Sequence, residues 1–173
     1  MNLYEILKAR TNRDHMVEIA QWVGEDADRF AEVWRLVNCG EEPTAPYASW
    51  LMDYCLQLHP PHLLPYRKGA LDLLRQPLHN MIHRNLVKHL YRVPIDEDIE
   101  GELYDLAINK INNPQVEIAI RVHCMDVAWE IAKPWPELRE ELRLVIEGHI
   151  VDGSAGFKSR GKRVLKRIGK AGE

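Results

Sequence analysis

Cysteine is scarce in this chain of 173 residues. Cys39, Cys55 and Cys124 are far apart and odd in number, and no Cys-x-x-Cys spacing occurs. That excludes a zinc ribbon and a thioredoxin-like redox motif. Cys55 falls on an apolar stripe, where a free thiol behaves as a small hydrophobe. Long hydrophobic runs are missing as well: none approaches the roughly 20 residues that span a bilayer. The opening Met1-Asn2-Leu3-Tyr4-Glu5-Ile6 lacks a basic segment followed by an apolar block, so no secretory signal is expected. These features together lead to the expectation of a cytoplasmic protein with no membrane partner. A formal charge of only −3 gives no global pull toward nucleic acid. Strand-like alternation and an Asn-Gly hairpin signal are both absent.

Compact catalytic motifs are missing too. There is no Gly-x-x-x-x-Gly-Lys-Ser/Thr phosphate loop, no Gly-x-Gly-x-x-Gly and no Gly-x-Ser-x-Gly elbow. His79 and His83 share a helical face, but the sequence His79-Asn80-Met81-Ile82-His83 lacks the Glu of a zinc protease and no third ligand is identifiable. His59-Pro60-Pro61-His62 is too constrained to count as a ligand pair. The acidic run Asp96-Glu97-Asp98-Ile99-Glu100-Gly101-Glu102 lacks the spaced ligands of a calcium loop and suits a helix start instead. No catalytic residue, metal or cofactor is assigned. Catalysis would need a pocket of paired titratable groups, for instance Asp126 with His123 or Arg121.

What is present is a repeated hydrophobic template. Tyr47-Leu51-Cys55-Leu58, Ile82-Leu86-Leu90-Val93 and Phe157-Gly161-Leu165-Ile168 each step by 4, 4 and 3 residues, and Ile118-Val122-Met125-Trp129 fits with one step shortened. A second template, Phe30-Trp34-Val37, Tyr66-Ala70-Leu73, Ile99-Leu103-Leu106 and Leu138-Leu142-Val145, interleaves with it at the same period. Two interleaved helical stripes of one period predict helix pairs that repeat along the chain. The expected pairs are 2–9 with 12–23, 26–38 with 45–58, 61–75 with 78–92, 96–111 with 114–132, and 136–150 with 154–169. They mark repeats at about 1–24, 25–59, 60–94, 95–133 and 134–170 within one domain, 1–173. Asn113-Pro114 reads as an N-cap followed by a proline at the first helical position. Thr44-Ala45-Pro46 and Trp135-Pro136 make similar starts. Asp26, Asp96 and Ser154 suit caps, and Gly24 and Gly40 suit helix ends. Pro65 should kink the fifth helix or delay its start.

Helix pairs of 35 to 40 residues without strands resemble the HEAT/armadillo class of α-solenoids. A proline in the first helix of a pair, here Pro65, is typical of HEAT units, and the segment 154–168 is similar to a HEAT second helix. The tetratricopeptide and ankyrin signatures are missing. The resemblance implies an all-α, right-handed α–α superhelix of about five helix pairs. The first pair fits worst, as a terminal cap with one neighbour would.

Charge is uneven along the chain. Lys158, Arg160, Lys162, Arg163, Lys166, Arg167 and Lys170 form a basic end without an intervening acid, while residues 1–156 carry a formal −9. This end reads either as a solubilising outer face of the last helix or as a surface for an anion or acidic partner. Arg84, Lys88 and Arg92 share one helical face, and Arg121 follows on a later second helix. Second helices usually line the concave surface of a solenoid, so Arg84, Lys88, Arg121, Lys158, Arg160, Arg163 and Arg167 are the candidate partner-binding residues. The expected function is a non-catalytic scaffold or adaptor that binds another macromolecule on that surface. The alternative is a nucleic-acid-binding protein. Some HEAT-like proteins are DNA alkylation-repair glycosylases that use Trp and Asp residues beside a basic groove; Asp126, Trp129 and Trp135 are the candidates here, and their spacing does not match a pattern that carries over. Trp129 also fits the apolar stripe.

Overall fold

A computed structural model describes residues 1–9 and 12–172 of the protein. Its regular elements, among those residues, are all helical. The chain divides into two compact units, Met1–Pro94 and Ile95–Glu173. None of the helices is long and apolar enough to cross a membrane among the described residues.

The first unit holds α1 (Leu3–Lys8), α2 (Arg13–Val23), α3 (Ala27–Val37), α4 (Thr44–Leu58), α5 (Arg67–Leu74) and α6 (Asn80–Leu90). Helix α4 is its centre and packs against α1, α2, α3 and α6. Local chemistry sets the ends. Asp26 accepts the Arg29 N–H at 3.0 Å and starts α3. Gly24 closes α2 at φ 51°, a conformation that a side chain would strain. Gly40 also has positive φ, although the α3 cap itself is Asn38, two residues earlier. The expected effect of Pro65 is found: a 3-10 helix runs over Pro60–Tyr66, and α5 begins only at Arg67. Prolines at 60, 61 and 65 cannot donate the backbone bonds that an α-helix needs there.

The second unit holds α7 (Glu97–Asn112), α8 (Ile118–Ala132), α9 (Pro136–Ile150) and α10 (Ala155–Ala171). Trp135 and Pro136 open α9, and Ser154 caps α10, as their sequence predicts. Asn113-Pro114 is a correction, because it does not start a helix. The Asn113 side chain instead accepts the Gln115 N–H at 2.9 Å and its carbonyl accepts Val116 N–H at 3.1 Å, which folds a turn and delays α8 to Ile118. An Asn side chain can cap a turn as readily as a helix. Helix α8 packs against α7, α9 and α10 and buries most of its circumference. The stripe expected there therefore blurs: Met125 and Trp129 are buried, but Ile118 is 38% exposed.

The glycine slot in the last template has a packing cause. A Cβ at Gly161 would lie 2.9 Å from Ile146 Cγ2 and 3.3 Å from Ile150 Cδ1, so glycine sets how closely α10 approaches α9. Ile146 is fully buried and β-branched, so it has no easy retreat. Gly101, inside α7, has nothing within 4 Å of the corresponding position. The same substitution should therefore have opposite signs. Gly161→Ala is expected to destabilise by about 1 kcal/mol after its helix-propensity gain, and Gly101→Ala to stabilise by about 0.5–1 kcal/mol. Urea unfolding of the two variants checks this.

Candidate partner-binding surfaces

In the first unit, the second helices α4 and α6 are joined by buried polar contacts. Asp53 sits among Leu51, Met52 and Cys55, all fully buried. Lys88 Nζ donates to its two oxygens at 2.7 and 2.9 Å, and His89 Nε2 donates to Oδ1 at 2.6 Å. One turn earlier, Asn85 donates its amide to the Ser49 carbonyl at 3.0 Å. Burial alone would raise the Asp53 carboxyl, but the hydrogen bonds from His89 and Lys88 and the Lys88 charge outweigh it and hold it below its ordinary value. Burial pushes His89 down and outweighs the pull of Asp53, so the imidazole is neutral and its Nε2–H faces the carboxylate. Its Nδ1 has no hydrogen-bond partner among the described residues. The head of Lys88 is thus committed to Asp53. Arg84 lies one turn away on the same row, half-buried.

Helix α4 turns a row of large side chains toward solvent. Tyr47, Trp50 and Tyr54 are half-buried, with ring centroids 6.4 and 6.1 Å apart in succession. Leu58 continues the row and is 50% exposed. Val17 and Gln21 of α2 complete a shallow groove of about 90 Å³ beside Tyr54 and Leu58. A separate cavity of about 390 Å³ is lined by Phe30, His59, His62, Tyr66 and Glu25 among others. His62 stacks on Phe30 at 4.6 Å and bonds the Gly24 carbonyl at 2.8 Å, and it is these contacts that hold the His59–His62 turn. Such surfaces can accept apolar or aromatic side chains; neither holds a nucleophile and base in contact.

In the second unit, Asp126 is the counterpart of Asp53. Arg160 NH1 donates to its Oδ2, and Arg167 NH1 lies 3.7 Å from Oδ1. Arg121 is buried, and its Nε and NH2 donate to the Ile111 carbonyl at 2.9 and 2.6 Å, which satisfies an orphan group at the end of α7. Its guanidinium also lies 4.6 Å from the Phe157 ring centroid. Asp126 therefore joins Arg160 and Arg167 rather than Arg121. Trp129 is buried and Trp135 is 48% exposed. Lys158 is half-buried and Arg163 exposed; with Lys162, Lys166 and Lys170 they have no charge partner among the described residues.

Of the seven candidates from sequence, Lys88, Arg121, Arg160 and Arg167 contact acids or a carbonyl of their own unit. Lys158 and Arg163 have no charge partner among the described residues, and Arg84 is half-buried beside Lys88 on α6. The half-exposed row Tyr47, Trp50 and Tyr54 has no charge signature and escapes a search for basic groups. His79 Nδ1 accepts the Met81 N–H at 3.1 Å, and His83 Nε2 bonds the Gln76 carbonyl at 3.0 Å, so this pair is engaged with backbone. No group of three metal-ligating side chains occurs among the described residues. Burial pushes the Cys55 and Cys124 thiols up to about 12, which makes them poor nucleophiles.

Paired helices, second helices clasped by acid–base contacts and an absence of strands among the described residues define an all-α helical-repeat protein. Residues 3–168 match the HEAT repeat domain, and the chain belongs to that family. No curated protein and no solved structure matches the chain.

Proposed function

We propose that the protein is a non-catalytic HEAT-repeat scaffold, one repeat domain of five pairs, that binds a protein partner on the face of its second helices. The observation that carries this reading is the row Tyr47, Trp50, Tyr54 and Leu58, with its groove against Val17 and Gln21. Tyrosine and tryptophan dominate interface hot spots because they bring large apolar area at little entropic cost. Asp53, clamped by Lys88 and His89, ties α4 to α6 and steadies the helix that carries the rings. Half-buried Arg84, on α6, supplies a polar group at the rim. A cytoplasmic location accords with three unpaired cysteines.

The test is comparative capture from native lysate by the parent chain and by Trp50→Ala/Tyr54→Ala. Each ring is expected to contribute about 2 kcal/mol, so the double variant should lose its specific partner while keeping its helical circular dichroism. Retention of the same partner overturns the reading. So does tight binding to duplex DNA whose logarithmic salt slope is about −0.9 per phosphate contact.

A further inference from the structure

We propose that the outward face of α10 docks on α7 of a second copy of this chain. This goes beyond the partner surface on α4 and does not depend on it. Helix α10 contains no acid, and its two basic rows have separate fates. Arg160 and Arg167 turn toward Asp126. Lys162, Lys166 and Lys170 form an exposed row at steps of four, flanked by exposed Arg163, and none has a charge partner among the described residues. Like charges four apart on a helix repel one another. An unrelieved row of this kind gains from an opposing row of carboxylates.

The complement is in the same sequence. Between Arg92 and Lys110 the chain has six acids and no base. On α7, Asp98, Glu102 and Asp105 share an exposed face at steps of four and three. At 1.5 Å per residue, the ammonium row spans about 12 Å in steps of about 6 Å, and the carboxylate row about 10 Å in steps of about 6 and 4.5 Å. Two helices laid side by side can therefore match three charges with three. The apolar seam of α10, Phe157, Val164 and Ile168, is already buried in its own unit, so the face left over is electrostatic and suits a charged helix better than a lipid interior. A basic patch meeting a different, acidic patch makes a head-to-tail contact, which builds short chains or rings rather than only dimers.

Light scattering across a concentration series tests this on the full chain. The expected result is a mass that rises with concentration in dilute salt and returns to the monomer at about 1 M salt, because contacts between exposed charges are screened. The variant Lys162→Glu/Lys166→Glu/Lys170→Glu and the variant Asp98→Lys/Glu102→Lys/Asp105→Lys should each remain monomeric alone. Mixed in equal amounts they should associate, since the acidic faces of one then meet the basic faces of the other. That rescue also establishes that both variants are folded. A parent chain that stays monomeric in dilute salt overturns the proposal, including when its α10 binds DNA or an acidic protein instead. Association that salt leaves unchanged, or variants that fail to rescue each other while the parent associates, overturns it as well.

Discussion

Phe157→Ala is expected to lower the unfolding temperature by about 10 °C, the equivalent of about 3–5 kcal/mol. Phe157 is fully buried in the first turn of α10, where its N–H meets the Ser154 cap at 3.4 Å. Its ring lies against the Arg121 guanidinium from α8 and edge-on to His149 at the end of α9. A Cβ at Gly153 would lie 3.0 Å from the ring, so the turn before α10 is moulded around it. Truncation opens a cavity at the junction of three helices and leaves Arg121, buried as it is, without its aromatic partner. Phe157→Leu refills much of the volume and should lose only about 1–2 kcal/mol, mostly the ring–cation contact and shape. Thermal unfolding by circular dichroism separates the two. Equal losses for Leu and Ala would show that the ring, not the volume, matters.

Asp53→Ala should cost about 3 kcal/mol, because it leaves the Lys88 ammonium and the His89 N–H facing a site that has lost its acceptor. The loss belongs near the lower end for buried pairs: the Lys88 side chain is 24% exposed and water reaches it, whereas His89 is only 1% exposed. This cluster also gives stability a definite pH dependence. The folded-state pKa of His89 lies below its ordinary 6.5, so the unfolded chain takes up the proton first. Stability is complete above 6.5 and falls as pH drops below that value toward the lowered folded pKa. Asp53 is likewise held below its ordinary 3.8, and its contribution is lost at still lower pH, as the folded carboxyl finally protonates. Urea midpoints measured from neutral to mildly acid pH should decline for the parent chain. His89→Gln should flatten the decline that begins near 6.5. An unchanged slope in that variant would remove His89 from the account.

The helix pairs are legible in the sequence because two periodic stripes recur together, and because caps such as Asp26 and Ser154 act locally. Pro65 is legible for the same reason: its missing N–H has one local consequence wherever it falls. Asn113-Pro114 misleads because one side chain serves two local motifs, and the packing of α8 on its neighbours decides between them. The candidate site is less legible. Counting cations finds Lys88 and Arg160 but not the acids that hold them, which lie 35 and 34 residues away in sequence. A signal was nevertheless there. Asp53 and Asp126 each interrupt an apolar stretch, Leu51-Met52-Asp53-Tyr54-Cys55 and Cys124-Met125-Asp126-Val127-Ala128, and a carboxylate on a buried helix face requires a paired cation. The row Tyr47, Trp50 and Tyr54 is harder to read, since an aromatic on a helix is as consistent with a core as with an interface until its exposure is known.

The side-chain bonds from Asn85 to Ser49, Lys88 to Asp53 and Arg160 to Asp126 span 36, 35 and 34 residues. Greasy stripes that resemble one another offer a growing polypeptide many wrong neighbours, and a hairpin could settle on the next but one with little loss of oil-to-oil contact. A cation that finds its carboxylate only on the immediately preceding hairpin makes such skipping costly, because the misplaced pair would be stranded out of water. Assembly order is thereby written into a handful of polar side chains.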